Sequence, residues 1–177
     1  MTEYSYYPNG KLQSMKNEAG KATTYSYDRC WRVQTVASET QPAAAYSYDS
    51  AGRVAKQVLS PRDGEGEDLA TSYTYDCYGH VASETDPAGN VTQYRYDGNG
   101  NLVETEDAAG RVSYSRYDAL NRVVETGIYV KKEGAEADPL RTVLTRTFYD
   151  IKAHTVTETD AVNGGTAITP TTPQAAP

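Results

Sequence analysis

Short runs of alternating apolar and polar residues fill this chain, and small turn-forming clusters separate them. In Tyr94-Arg95-Tyr96 the tyrosines share one face of an extended strand and Arg95 takes the other. Leu102-Val103-Glu104-Thr105-Glu106 and Val91-Thr92-Gln93 prefer an extended backbone. No segment places apolar residues at i, i+3, i+4 and i+7 over three turns, so no helix is expected. The pattern predicts an all-β chain of short strands.

Those strands recur with a fixed period. Tyr25-Ser26-Tyr27-Asp28, Tyr46-Ser47-Tyr48-Asp49, Tyr73-Thr74-Tyr75-Asp76 and Tyr94-Arg95-Tyr96-Asp97 share one form. Tyr4-Ser5-Tyr6-Tyr7, Ser115-Arg116-Tyr117-Asp118 and Thr147-Phe148-Tyr149-Asp150 are weaker copies. From each Asp, or Tyr7 in its place, the spacings are 21, 21, 27, 21, 21 and 32 residues. The period is 21, with insertions of 6 and 11. A second signal divides it: the Asp-x-x-Gly runs that begin at Asp49, Asp76, Asp86, Asp97 and Asp107 end at Gly52, Gly79, Gly89, Gly100 and Gly110. Asp118 leads in the same phase to Asn121.

Asp at the first corner position accepts bonds from the amides ahead of it, and the next two residues take right-handed turn angles. The fourth residue needs positive φ to rejoin the strand, which glycine adopts freely and asparagine tolerates. Trp31 and Ala153 fall in the same phase and resist that conformation, so those two corners are expected to have another shape. Loops at this spacing join antiparallel strands as hairpins. Seven units of two strands predict a meander of about 14 strands, roughly 65 Å wide at ~4.8 Å per strand. A sheet that wide is expected to curve, with its tyrosine face engaged and its edge strands open to pairing with another chain.

Two segments interrupt the period. Arg62-Asp63-Gly64-Glu65-Gly66-Glu67-Asp68 lengthens one loop, and the residues around Lys131 to Pro139 form the tip of a longer hairpin. The repeat sheet is assigned to residues 1–162. Residues 163–177, from Asn163 through Gly164-Gly165 to a Thr- and Pro-rich end, read as a flexible tail.

The repeated Tyr-x-Tyr-Asp-x-x-Gly-Arg, with a second Asp-Pro-x-Gly-Asn half, closely resembles the YD repeats of Rhs proteins. Tyr46 to Val54 and Tyr73 to Asn90 carry the likeness, which covers roughly residues 4 to 160. In that family (Rhs polymorphic toxins, C components of insecticidal toxin complexes, teneurins) the repeats form one long sheet that spirals into a hollow shell. In bacterial members the shell encloses a C-terminal toxin domain. The resemblance implies a wall segment of such a β-shell, which carries a toxin cargo in interbacterial competition, including type VI secretion. Its partners would be other shell repeats or that cargo. Asp138-Pro139-Leu140-Arg141 lacks the glycine of the family's Asp-Pro-x-Gly-Leu cleavage region, so self-cleavage is not carried over. Seven repeats are too few for a complete shell, leaving a wall fragment or a small stand-alone relative.

Composition narrows the function classes. Acidic residues outnumber basic ones, 24 to 17, which argues against a nucleic-acid backbone binder. No apolar stretch approaches the ~20 residues of a membrane span. The start lacks the basic-then-apolar form of a secretory leader, so the expected location is the bacterial cytoplasm before export as part of a larger effector. Cys30 and Cys77 are too few for a disulfide framework and read as free thiols, with a bridge between them left open. His80 sits where Arg53 and Arg122 sit in other units and reads as a surface substitution; His154 precedes another alternating run. No His pair, Cys-His set or G-x-S-x-G is present, so no enzyme, cofactor or metal site is expected. The corner carboxylates have a turn-capping explanation that competes with Ca²⁺ binding.

The residues that remain are structural: Tyr25, Tyr27, Asp28, Tyr46, Tyr48, Asp49, Gly52, Tyr73, Tyr75, Asp76, Gly79, Asp86, Gly89, Tyr94, Tyr96, Asp97, Gly100, Asp107, Gly110, Tyr117, Asp118 and Asn121. Regular repetition favours the tyrosines as the packed face of the sheet. The alternative is a glycan- or protein-binding module that uses exposed tyrosine faces and projecting hairpins.

Overall fold

A computed structural model describes residues 1–61, 66–131, 142–150 and 155–160, and the backbone of 166–170. Every element in it is a strand, and strand order in the single sheet follows chain order. The corner chemistry explains this topology, since a three-residue loop returns each strand antiparallel to its predecessor. Two compact units are Met1–Tyr75 with Glu84–Asn90, and Asp76–Ser83 with Val91–Pro177.

The first unit contains β1 (Glu3–Tyr6), β2 (Leu12–Lys16), β3 (Ala22–Tyr27), β4 (Val33–Ser38), β5 (Ala43–Tyr48), β6 (Val54–Ser60) and β7 (Leu69–Tyr75). β8 (Val81–Thr85) follows. The register repeats along the chain. Ser26 pairs with Thr35 and Tyr27 with Val33, so Gln34 is an extra residue; Ser47 pairs with Lys56 and Tyr48 with Val54, so Ala55 is extra. Ser5–Ser14 and Tyr6–Leu12 show the same shift at Gln13. This bulge just after the corner bends and twists the hairpin at one place in each of these units.

The second unit contains β9 (Val91–Tyr96), β10 (Leu102–Glu106), β11 (Arg111–Tyr117), β12 (Val123–Val130), β13 (Thr142–Asp150), β14 (Thr155–Asp160) and β15 (Thr166–Pro170). Among the described residues the sheet therefore has fifteen strands, one more than the repeat count predicts. The extra strand, β15, falls inside the stretch expected to be a flexible tail. Thr166 pairs with Thr159 and Pro170 with Thr155, so the ladder continues past Gly164-Gly165. Its alternating Thr166-Ala167-Ile168-Thr169 suits a strand, and Pro170 is tolerated at the end of a terminal strand. The tip of the long hairpin, Ala153 and His154 lie outside the described residues, as do Arg62 to Glu65.

Among the described residues, the tyrosine face does not supply the buried core. Val112, Tyr114 and Tyr129, on β11 and β12, are buried to 6% exposure or less. Register places them on the other side of the sheet: Thr105 pairs with Tyr94 and Ser113, whereas Glu104 pairs with Arg95 and Tyr114. Gly127 lies opposite Tyr114, and a Cβ there would fall 2.5 Å from both the Tyr114 ring and the Thr142 carbonyl oxygen. The absent side chain at Gly127 lets the Tyr114 ring lie flat against the strand. Both tyrosine hydroxyls are used, Tyr114 donating to Glu125 at 3.1 Å and Tyr129 to Glu104 at 2.7 Å.

Candidate functional site

The recurring element is the corner and what it holds. Each is closed by two backbone bonds: in the second unit's first corner, Asp76 N–H donates to His80 at 2.9 Å and Gly79 N–H to Asp76 at 3.2 Å. Tyr7–Gly10, Asn17–Gly20, Asp28–Trp31, Asp49–Gly52, Asp86–Gly89, Asp97–Gly100, Asp107–Gly110 and Asp118–Asn121 form the same pair. Asn121 has φ 59°, as expected of the residue that replaces glycine. Trp31 overturns the expectation of a different shape: its φ is also 59°, and its N–H donates to Asp28 at 3.0 Å. A bulky residue in this region costs about 1 kcal/mol or more. The surrounding bonds fix the turn despite that cost, and the indole lies 6.3 Å from the Tyr27 ring.

The Asp side chain makes two kinds of contact. Oδ1 accepts from two amides, as in Ala51 and Arg53 to Asp49, both at 2.9 Å. Oδ2 accepts from the side chain of the fifth residue: Arg32 Nε to Asp28 at 2.7 Å, Arg53 to Asp49 at 2.8 Å, Arg111 to Asp107 at 2.8 Å, Arg122 to Asp118 at 2.8 Å. Asn90 and Asn101 do the same for Asp86 and Asp97, at 2.8 and 2.9 Å. A carboxylate on one methylene spans both duties, which explains Asp over Glu.

These bonds hold the corner carboxyls below the usual Asp range. The first cause is the backbone bond from Arg32 for Asp28, from Arg53 for Asp49 and from Arg111 for Asp107. It is the side-chain bond for Asp86, Asp97 and Asp118. At Asp76 desolvation pushes upward most strongly, and the bonds from His80 and Tyr78 together outweigh it.

The fifth residue also reaches the next unit. Arg32 lies 4.3 Å from the Tyr48 ring centre, Arg53 4.3 Å from Tyr75, and Arg122 4.1 Å from Tyr149. His80 takes the same place with an imidazole: Nδ1 is 3.0 Å from Asp76 Oδ2, and its ring stacks on Tyr96 at 4.6 Å. It is therefore the working replacement for arginine in this corner, not a plain surface substitution.

The same tyrosines donate their hydroxyls back along the chain. Tyr27 bonds the Leu12 carbonyl at 2.9 Å, Tyr48 that of Val33 at 2.6 Å, and Tyr75 that of Val54 at 2.7 Å. Tyr96 bonds Val81 at 3.1 Å, Tyr117 bonds Leu102 at 3.0 Å, and Tyr149 bonds Val123 at 3.1 Å. The separation is 15 residues, lengthened to 21 and 26 where the insertions fall. Each acceptor is the first strand residue after a corner. One tyrosine thus takes a cation or imidazole on its ring and bonds a carbonyl through its hydroxyl. Successive units are clamped at the Asp corners.

The Asn101 side chain is too short to cover Tyr117, and its corner is tied differently. Asn99 and Asn101 both donate to Asn121 Oδ1, at 3.0 and 2.9 Å. The other predicted tyrosines, Tyr25, Tyr46, Tyr73 and Tyr94, are half-buried. Desolvation raises the Tyr73 phenol, with the Glu84 charge adding to it. Beyond the clamp, Arg116, Arg122, Arg146 and Phe148 help line an open groove of about 510 Å³. Cys30 and Cys77 are exposed free thiols. Among the described residues, no group of three His, Cys, Asp or Glu is placed to hold a metal, and no helix is long and apolar enough to cross a membrane.

Sequence reasoning located the corners and the tyrosines but missed the clamp. Its signal was the donor-bearing fifth residue, Arg32, Arg53, His80, Asn101 or Arg122, one position before the acceptor carbonyl.

Residues 75–112 and 96–127 match the family model described as RHS Repeat. No curated relative matches the sequence. Among solved structures, TcdB2-TccC3 without its hypervariable C-terminal region is similar at 15% identity and a TM-score of 0.37, over 90% of this chain and 11% of that one. The Photorhabdus luminescens Tc holotoxin pore with a mutated TccC3 is similar at 14% identity and a TM-score of 0.34, over 93% of this chain and 11% of that one. The chain spans about 11% of the length of the structures it resembles. Residues 75–127 thus match Rhs, or YD, repeats, and the corner they contain recurs along the chain from Tyr7 to Asn121, as in a structural repeat module.

Proposed function

We propose that this chain is a non-catalytic wall segment of an Rhs-type β-shell that encloses or carries a polymorphic toxin in interbacterial competition. The observation that carries this reading is the clamp from one unit to the next. The repeat's chemistry is spent on holding hairpins side by side, as containment requires. Neighbours on the wall would be further shell repeats, and the cargo a domain of the same effector. The test is to express the chain within its natural reading frame and challenge the downstream domain with protease. Protection that is lost when the repeats are deleted supports containment; equal cleavage with and without them overturns it.

A second reading is a binding module for glycans or a partner protein. It draws on Trp31 and Tyr78, whose side chains stand 49% and 84% exposed at their corners. Glycan-array binding that disappears in Trp31→Ala or Tyr78→Ala would favour it over containment.

A further inference from the structure

On the face of the second unit that carries Tyr114, one row of side chains crosses three strands: Arg116 on β11, Glu125 on β12 and Arg146 on β13. Both arginines turn to the same carboxylate. Arg116 Nη1 lies 3.7 Å from Glu125 Oε1, and Arg146 Nε donates to Oε2 at 3.2 Å. The Tyr114 hydroxyl also donates to Oε1, so Glu125 is committed, and it is only 14% exposed. The two arginines stand 60% and 56% exposed, and neither has a second carboxylate among the described residues. Phe148 follows Arg146 by two residues on β13 and so shares its face, 64% exposed. These side chains help line the open groove of about 510 Å³, whose charged members are three arginines against two carboxylates, Asp118 and Glu125. The chain as a whole carries a net charge of −7, so a surplus positive charge beside an uncovered ring marks this groove out.

We propose that this groove docks an extended acidic peptide, one with a glutamate or aspartate two residues from an aliphatic side chain. The peptide carboxylate bridges the guanidinium groups of Arg116 and Arg146 in charge-assisted hydrogen bonds. The aliphatic side chain covers the Phe148 ring. Two residues span about 6.6 Å in an extended backbone, in the peptide as between Arg146 and Phe148, so both contacts form together. An acidic glycan fits less well. The carboxylates that would read sugar hydroxyls are already taken, Asp118 by Arg122 and Glu125 by the arginine pair, and Phe148 has no polar tip. This site is independent of the wall reading and of the exposed corners at Trp31 and Tyr78, and each can fail alone.

The test titrates the full chain, carrying isotopically labelled arginine, with the peptide acetyl-Gly-Glu-Gly-Leu-Gly-amide and follows the arginine Nε–H signals by NMR. Saturable shifts at Arg116 and Arg146 are expected. Glutamine in place of the peptide's glutamate, or Arg146→Gln in the chain, should weaken binding about fivefold or more, and added salt should weaken it too. Phe148→Ala should remove the preference for leucine over glycine at the fourth peptide position. Thermal melting of each variant checks that it remains folded. No shifts, or shifts that persist unchanged with the glutamine peptide or in Arg146→Gln, overturn the proposal. Shifts produced by a uronic disaccharide but not by the peptide would overturn it in favour of an acidic glycan.

Discussion

The hairpins β3–β6 and the strand pair β11–β12 are built from one repeat and are stabilised by different means. In β3–β6 no residue is fully buried; order comes from the Asp corners, the Arg32 and Arg53 stacks and the hydroxyl bonds of Tyr27 and Tyr48. In β11–β12, Val112, Tyr114 and Tyr129 make a small core on the opposite face, closed over Gly127. The middle residue of the Tyr-x-Tyr-Asp run and its cross-strand partner differ between the two regions. Ser26 meets Thr35 through hydroxyls 2.6 Å apart, whereas Arg95 meets Glu104 at 3.3 Å and Arg116 meets Glu125 at 3.7 Å. A polar face can therefore be a hydroxyl ladder or a charged rim around buried tyrosines, while the corner chemistry stays constant. The repeat sets the ladder, and the variable position sets what each face does.

Acid is expected to break the regular hairpins most completely. The corner carboxyls are held below their usual range, so their stabilisation is complete above the ordinary Asp pKa of ~3.9 and disappears as pH falls through the lower folded values. Circular dichroism followed downward from pH 6 should stay flat to about pH 4 and then show loss of strand signal. Next in size, Tyr114→Ala should cost about 3–5 kcal/mol in urea unfolding by emptying the core of β11–β12. Tyr48→Phe removes one hydroxyl bond and should cost about 1 kcal/mol by the same measurement. The smallest effect has the opposite sign. Trp31→Gly relieves a left-handed tryptophan and should stabilise by up to about 1 kcal/mol, less whatever the Tyr27 contact contributes.

The hairpin meander was legible because Asp and Gly three residues apart state a turn chemically. Asn121 fitted that grammar, and Trp31 did not, because local preference yields to a corner already closed by Asp28 and Arg32. The clamp was hidden because alternation gives the face of Tyr48 but not the length at which Arg32 meets its ring. Alternation also separates Tyr94 from Tyr114 without saying which face is covered, so the core at Val112 could not be read in advance. Strand β15 was masked by the glycines and prolines around it, although Thr166 to Thr169 alternate as a strand should.

The central claim is that arginine and tyrosine of successive units act together. A double-mutant cycle on Arg53→Gln and Tyr75→Leu, read by urea unfolding, measures that coupling most directly. A coupling of about 0.5–1 kcal/mol is predicted for the guanidinium stacked on the ring. Strictly additive effects would mean that the units stand side by side without the clamp.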